Sequence, residues 1–328
     1  MSGPTLTPWP ADPTPVSLRG PDQRLRWGRF IGPLVDDPLL LGPRGGRARR
    51  WAYVAAGDEQ VVLGAAMARL GPLVVAFAFA SVEGRTISWD GRARASGAVR
   101  VGRVPAAGAR WHARGCRPHL DGRGGLEVDV PTEAGRLVAR IVVRTDVVPV
   151  VLTTPTPGGG WNATEKAAGS QARLTVALGD EPARVRDDAC GWRDWTSGRQ
   201  DRRTDWRWVA GAGWSHHGVR VGLNASRGMN ATGVGEDVVW LDGRPHALQV
   251  DRLGPVGSDG SGPWRLAGPG SSLDLTPSGV RRRRERLGPL LSDYTQPIGS
   301  WAGTLTPVGG GPVRVALAGV AEDHRAAW

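Results

Sequence analysis

Short apolar runs rich in valine recur along the chain, each bounded by Gly, Pro or Asp. They include Gln60 to Met67, Leu73 to Ala80, Leu137 to Val143, Val147 to Thr153, Ala172 to Leu178, Val219 to Asn224, Val238 to Leu241, Ala247 to Val250 and Val313 to Leu317. Runs of this length, β-branched and stopped by turn residues, predict strands rather than helices. No stretch carries a helical stripe for more than about a dozen residues. The pattern therefore predicts an all-β protein built from antiparallel sheets that close into barrels or curve strongly.

The pattern also repeats. Arg50 to Gly71 reads RWAYVAAGDEQVVLGAAMARLG, and Asp205 to Gly228 reads DWRWVAGAGWSHHGVRVGLNASRG. The copies share W-x-[YW]-V-A, a turn and V-x-[LV]-G-[AL]-x-A-x-R, which sets Tyr53 against Trp208, Gly64 against Gly222 and Arg69 against Arg227. A second echo follows each copy in the same order, SWDGR at Ser88 to Arg92 and WLDGR at Trp240 to Arg244. Both Asp-Gly pairs are expected in tight hairpin turns, where Gly takes the positive φ. Two echoes in one order predict a tandem duplication. We divide the chain into a Pro-rich arm (1–25), a first β-domain (26–155) and a second (156–328), with the boundary in the loop Thr154 to Gly160. The second copy carries more Trp and charge, so the site is expected there.

Composition changes this picture little. Gly (49) and Pro (26) punctuate the apolar runs instead of clustering, and Trp (15) dominates the aromatic residues. The net charge of +11 could suit a polyanion, but the arginines are spread over the chain. The two dense patches, Arg44 to Arg50 and Arg281 to Arg286, are expected as solvated loops, and nucleic acid is not an expected partner. Cys116 and Cys190 lack metal or disulfide spacing, and no HExxH occurs, so neither a metal nor another cofactor is expected. The N-terminal stretch does not have the pattern of a signal peptide, and the longest apolar run, Leu70 to Ala80, is too short to span a bilayer. A cytoplasmic protein is expected; no oligomeric state is indicated.

One residue stands out against the compositional bias: Lys166 is the only lysine among 42 basic residues. It ends the segment WNATEK, Trp161 to Lys166. On a strand, Asn162, Thr164 and Lys166 share one face, and Trp161 and Glu165 the other. Facing an apolar cavity, Lys166 would have a lowered pKa and serve as a base or hydrogen-bond donor; at a surface it would only pair with a carboxylate. Asp187, Asp188 and Asp194 lie near Trp192 and Trp195, where a carboxyl could act as general acid or simply cap a turn. Glu236 and Asp237 are adjacent, so one at most faces a cavity. Near the C-terminus, Glu322 and His324 alternate onto one strand face, and Trp328 is expected to dock.

Read in order, WNxTEK, the R-x-x-W-x-W-[AV] segment, GLN at Gly222 to Asn224, E-[DN]-x-x-W-x-D-G at Glu236 to Gly243, Q-P-x-G-x-x-x-G at Gln296 to Gly303 and G-x-x-E-D-x-x-x-x-W at Gly319 to Trp328 resemble the bacterial family called domain of unknown function 2804. The stretch Arg49 to Asp58 resembles that family's N-terminal half. The resemblance implies a pattern and no reaction. A more distant likeness to the carotenoid-hydratase-like group implies two lipocalin-like β-domains, with a hydrophobic ligand in a barrel or between the lobes.

Together these readings predict a small hydrophobic molecule bound in a Trp-lined cavity of the second lobe or the inter-lobe cleft. Conversion, if any, would be a cofactor-free hydration, isomerisation or cyclisation. Lys166, Glu165, Glu236 and one of Asp187 and Asp188 are the candidate acid/base groups. Trp161, Asn162, Thr164, Trp206, Trp208, Asn224, Gln296 and Glu322 are the candidate binding groups. The alternatives are a β-protein that binds or processes carbohydrate on Trp faces, and a non-catalytic structural or partner-binding module. An enclosed cavity holding Lys166 would favour the apolar ligand; an open groove of coplanar Trp rings would favour sugar.

Overall fold

In the computed structural model, which describes residues 14–43, 47–144, 147–229, 235–288 and 290–327, nearly all regular structure is strand. One sheet holds β1 (Gly28–Ile31), β2 (Arg49–Gly57), β3 (Val61–Leu70), β4 (Leu73–Val82), β5 (Arg85–Arg94), β6 (Val99–Val101), β7 (Ala109–Trp111), β8 (His119–Leu120), β9 (Leu126–Thr132), β10 (Gly135–Val143), β11 (Val150–Pro155), β12 (Trp161–Leu178) and β13 (Arg184–Arg199). It curls into a nearly closed barrel. The other, a half-barrel, holds β14 (Arg203–Ser215), β15 (Arg220–Arg227), β16 (Val238–Leu241), β17 (Arg244–Ala247), β18 (Arg252–Pro255), β19 (Trp264–Gly268), β20 (Ser271–Leu287), β21 (Leu290–Leu305) and β22 (Val313–Ala327). The all-β class and its two lipocalin-like units are as the sequence predicts.

The two sheets share a strand arrangement. β2 to β5 and β14 to β17 each run as successive antiparallel hairpins. The last strand of each sheet, β13 or β22, returns to pair with the first strand of its set, β2 or β14. The changeover between sheets falls between Arg199 and Arg203, downstream of the Pro/Gly loop. That loop instead turns β11 into β12 within the first sheet, and Asp201 holds it, accepting from Thr156 Oγ1 at 2.6 Å and from the Gly158 and Gly160 backbone N–H groups at 2.8 and 3.1 Å. WNATEK thus lies centrally in the first sheet, paired on one side to β11 and on the other to β13.

Apolar side chains form three layers, because the strands where the sheets meet are buried on both faces. On β2, Ala52, Val54 and Ala56 fill the first barrel while Tyr53 and Ala55 face the second sheet. On β14, Trp208, Ala210 and Ala212 face back, and Val209 fills the half-barrel. The middle layer brings equivalent positions of the repeat together. Trp51 stacks on Trp206, with ring centroids 6.4 Å apart and planes 4° apart, and Tyr53 meets Trp208 edge-on at 5.2 Å.

Two turn and loop expectations need correction. Asp242 (φ 46°) and Gly243 (φ 81°) do form the tight turn between β16 and β17, but Asp90 and Gly91 lie inside β5. Arg281 to Arg286 is part of β20, not a solvated loop: alternation buries Arg281 and half-buries Arg283, while Arg282 and Arg284 stay exposed. In the other patch, Arg49 and Arg50 are buried in β2, and residues 44–46 lie outside the described residues. Of the N-terminal arm, Val16, Leu18 and Leu25 pack into the first core; the rest up to residue 13, and Trp328, also lie outside the described residues.

Candidate functional site

A cavity of about 140 Å³ opens in the middle layer, between the two sheets. Its apolar wall comes from Trp51 and Tyr53 on β2, Phe77 on β4, and Trp206 and Trp208 on β14. Its polar groups are Asn162 and Lys166 on β12, Asp194 and Thr196 on β13, Glu236 before β16, and Glu322 and His324 on β22. Alternation along β12 explains the first pair. Asn162, Thr164 and Lys166 point to the second sheet, whereas Trp161 and Ala163 point into the first barrel.

Lys166 is the electrostatic centre. Its ammonium lies 2.9 Å from Asp194 Oδ2 and 3.7 Å from Glu236 Oε2, with all three side chains less than a tenth exposed. The Trp208 ring centroid is 5.4 Å from Nζ, within cation–π range. Asp194 is saturated: Trp51 Nε1–H donates to Oδ2 at 3.1 Å, and the Thr164 and Thr196 hydroxyls lie 3.2 and 3.1 Å from Oδ1. Glu236 Oε2 is different. It is buried, 3.7 Å from the ammonium, with no hydrogen bond among the described residues. The Lys166–Glu236 pair also joins the two sheets.

Burial alone pulls the Lys166 pKa down, but Asp194, Glu236 and the more distant Glu322 outweigh it and hold the pKa above 10.5. The lowered pKa expected of a lysine in an apolar cavity is therefore overturned by its two carboxylates. The two carboxylates favour the ammonium form of Lys166. A raised lysine pKa contributes stability that is complete below the ordinary value and fades only as pH rises through the higher one. Acylation by an N-hydroxysuccinimide ester at pH 8 should add one group to the folded protein, at the α-amino terminus. A second should appear only after denaturation, counted by mass spectrometry; a native doubly acylated species would contradict this burial.

The other sequence-predicted residues divide clearly. Trp206 and Glu322 line the cavity, and the indole donates to Glu322 Oε1 at 3.0 Å. Gln296 stands behind Glu322, donating to Oε2 at 3.0 Å. Asn224 backs the cavity, accepting from Trp208 Nε1 at 2.8 Å and donating to the Glu236 carbonyl at 2.8 Å. It fixes the indole and the glutamate together.

Four candidates fall elsewhere. Glu165 is on the opposite face of β12, where it accepts from the Leu34 backbone N–H at 2.7 Å and pairs with Arg193. Trp161 fills the first barrel and donates to the Pro43 carbonyl at 3.2 Å. Asp187 and Asp188 are exposed, and Asp187 pairs with Arg144 and Arg173 at 2.9 and 3.4 Å. β13 becomes buried only from Ala189 onward, so of the three nearby aspartates Asp194 alone reaches the cavity. Asp237 turns away from the cavity to Arg227 at 2.9 Å.

The cavity-lining residues absent from the predicted set are Trp51, Tyr53, Ala66, Ala68, Phe77, Asp194, Thr196, Ser226, Met229, Tyr294 and His324. For Trp51 and Tyr53 the signal was the repeat itself, since their counterparts Trp206 and Trp208 were already candidates. Nothing in the pattern marked Tyr294 or Met229.

The family model described as a domain of unknown function (DUF2804) matches residues 34–328, which takes in β2 to β22 and every group at the cavity. The chain belongs to the DUF2804 family. Among curated proteins none matches the sequence. Among solved structures, a protein described as AttH from Nitrosomonas europaea is similar, with a TM-score of 0.54 at 14% identity, over 94% of this chain and 99% of that one. Kievitone hydratase from Nectria haematococca is similar with a TM-score of 0.47 at 11% identity, over 85% of this chain and 88% of that one. At these identities a likeness concerns the fold alone. Among the described residues of this DUF2804 protein, no three His, Cys, Asp or Glu side chains cluster as metal ligands, and no helix is long and apolar enough to cross a membrane.

Proposed function

We propose that this DUF2804 protein binds a small, mainly apolar molecule carrying a carbonyl or hydroxyl group between its sheets, and converts it by acid/base chemistry without a cofactor. The observation that carries the reading is the buried Lys166 ammonium, held by a saturated Asp194 on one side and facing the otherwise unbonded Glu236 Oε2 on the other. A buried carboxylate oxygen without a hydrogen bond is costly unless something else occupies the space beside it. A ligand hydroxyl or enol would supply the missing donor.

In such a complex Lys166 donates to the ligand oxygen and stabilises negative charge developing there. Glu236 transfers the proton to or from the adjacent carbon or oxygen. The indole faces of Trp206 and Trp208 stabilise positive charge on a carbocation-like intermediate. Isomerisation, hydration or cyclisation all use these three functions. Trp208 is buried and Trp51 and Trp206 are half-buried where the sheets meet, in a lining that is mainly apolar, which favours an apolar ligand over a sugar.

Native mass spectrometry of the protein purified from its own host tests the reading. The expected result is a co-purifying small molecule, retained by the parent protein and reduced at least tenfold in Trp208→Ala. A parent protein that carries no such mass, and whose tryptophan fluorescence does not respond to a panel of apolar ketones and phenols, would sink the proposal.

A further inference from the structure

A second chamber of about 200 Å³ adjoins the first across Phe77, Tyr294 and His324. Ser292 lines this chamber only, and His324 lines both. Strand geometry brings three side chains into line. Glu322 and His324 are two apart on β22, on one face, and Ser292 on β21 lies diagonal to His324, which pairs with Tyr294. Ser292 Oγ is 2.9 Å from His324 Nε2, and His324 Nδ1 is 3.3 Å from Glu322 Oε1.

The order of groups assigns the protons. Glu322 accepts from Trp206 Nε1–H at Oε1 and from Gln296 Nε2–H at Oε2, so every neighbour treats it as an acceptor. Its Oε1 therefore favours a proton on His324 Nδ1, which leaves the Nε2 lone pair facing the Ser292 hydroxyl. Trp206 and Tyr294, with ring centroids 4.0 and 5.3 Å from the imidazole, hold the ring in place. A hydroxyl, a base aimed at it and a carboxylate orienting the base are the parts of an activated nucleophile, independent of fold.

The chamber supplies an environment for acyl transfer. Arg92, Arg281 and Arg283 face Asp90 and Glu285 there, three cations to two anions, so one positive charge is in excess. Arg281 is held over Phe77 and Tyr294, and its Nε and Nη1 have no hydrogen-bond partner among the described residues. Negative charge forming on an acyl oxygen is favoured in such a field. Leu70, Leu73, Val75 and Leu291 give the same chamber an apolar wall suited to a short aliphatic chain.

We propose that Ser292 is a base-activated nucleophile and that the second chamber hydrolyses esters of short aliphatic acids, independently of the chemistry at Lys166. Ser292 Oγ bonds to the acyl carbon as its proton passes to His324 Nε2. The imidazolium returns that proton to the leaving oxygen as the ester C–O bond breaks, releasing the alcohol. Water then attacks the acyl-serine with His324 as base, freeing the carboxylic acid and restoring the Ser292 hydroxyl. Ser292 and His324 are the catalytic residues, and Glu322 is a positioning residue.

A fluorophosphonate probe, which bonds to an activated serine with loss of fluoride, tests the proposal on the full chain. The expected result is a single adduct, mapped by peptide mass spectrometry to Ser292. It should be absent in Ser292→Ala and form at least a hundredfold more slowly in His324→Gln. The parent protein should also hydrolyse p-nitrophenyl butyrate, and Glu322→Gln should alter the pH profile of that hydrolysis. Because the adduct is read on the parent protein, a variant that fails to fold does not obscure the result. No adduct at Ser292, or an adduct whose rate ignores His324, overturns the proposal while leaving the Lys166 reading untouched.

Discussion

Lys166→Met should lower the stability of the folded protein by about 3–5 kcal/mol at pH 8, the usual cost of stripping the partner from buried charges. Asp194 and Glu236 stay behind with side chains less than a tenth exposed, so the penalty is not diluted by solvent. At on the order of 2 °C per kcal/mol the melting temperature should fall by roughly 6–10 °C. The sign of its pH dependence follows from the charges left over. Without the ammonium, two buried carboxylates are left facing each other uncompensated, and taking up a proton relieves that penalty in the folded state. A folded state that takes up protons more readily than the unfolded chain loses stability as pH rises. The deficit should therefore be smaller at pH 5 than at pH 8.

Adding Glu236→Gln to that variant should recover part of the loss, since one uncompensated charge is gone. Lys166→Arg should not behave as the parent, because a planar guanidinium does not fit a site shaped for a compact ammonium. Thermal unfolding of the four proteins at the two pH values checks the set. Equal stability of Lys166→Met and the parent at pH 8 would mean that the buried triad does not hold the sheets together.

Gly222→Ala should also be severe, and for a different reason. A Cβ there would sit 2.3 Å from the Ala168 backbone carbon and oxygen, across the interface between β15 and β12. Backbone cannot swing aside as a side chain can, so overpacking should cost at least about 1–3 kcal/mol, and Gly222→Val more. Gly64, its counterpart in the repeat, offers an internal control. A Cβ at Gly64 meets the Phe79 ring at 2.6 Å, a side chain that can shift. Denaturant unfolding should thus rank Gly222→Ala below Gly64→Ala. The reverse order would mean that the close approach of the sheets is not what requires glycine.

This pair of glycines also marks the limit of what a repeat conveys. The duplicated pattern put glycine at both positions, and the topology bears out two similar meanders. It could not say that one glycine faces a ring within its own sheet and the other faces a neighbouring backbone. The long strands were legible only in part for a related reason. Periodicity identified apolar cores such as Ala172 to Leu178, but β12 extends back to Trp161 through polar residues that are buried by the second sheet. Arg281 to Arg286 misled in the same way, since a run of charge reads as solvated unless something shows which alternate residues are covered.

For the site, the sequence by itself determined the strand class, the repeated pattern and the singular lysine, because these rest on local periodicity and residue usage. It also determined that Asn162, Thr164 and Lys166 share a face, since alternation on a strand is a property of the backbone. Tertiary structure alone decided that the cavity lies between the sheets, that Asp194 and Glu236 meet Lys166, and that Ser292 meets His324. Those pairs are far apart in sequence and are joined by sheet register and sheet-on-sheet packing. The direction of the Lys166 pKa shift followed from that packing: burial would have lowered it, and two carboxylates, one opposite it on β13 and one just before β16, raised it instead.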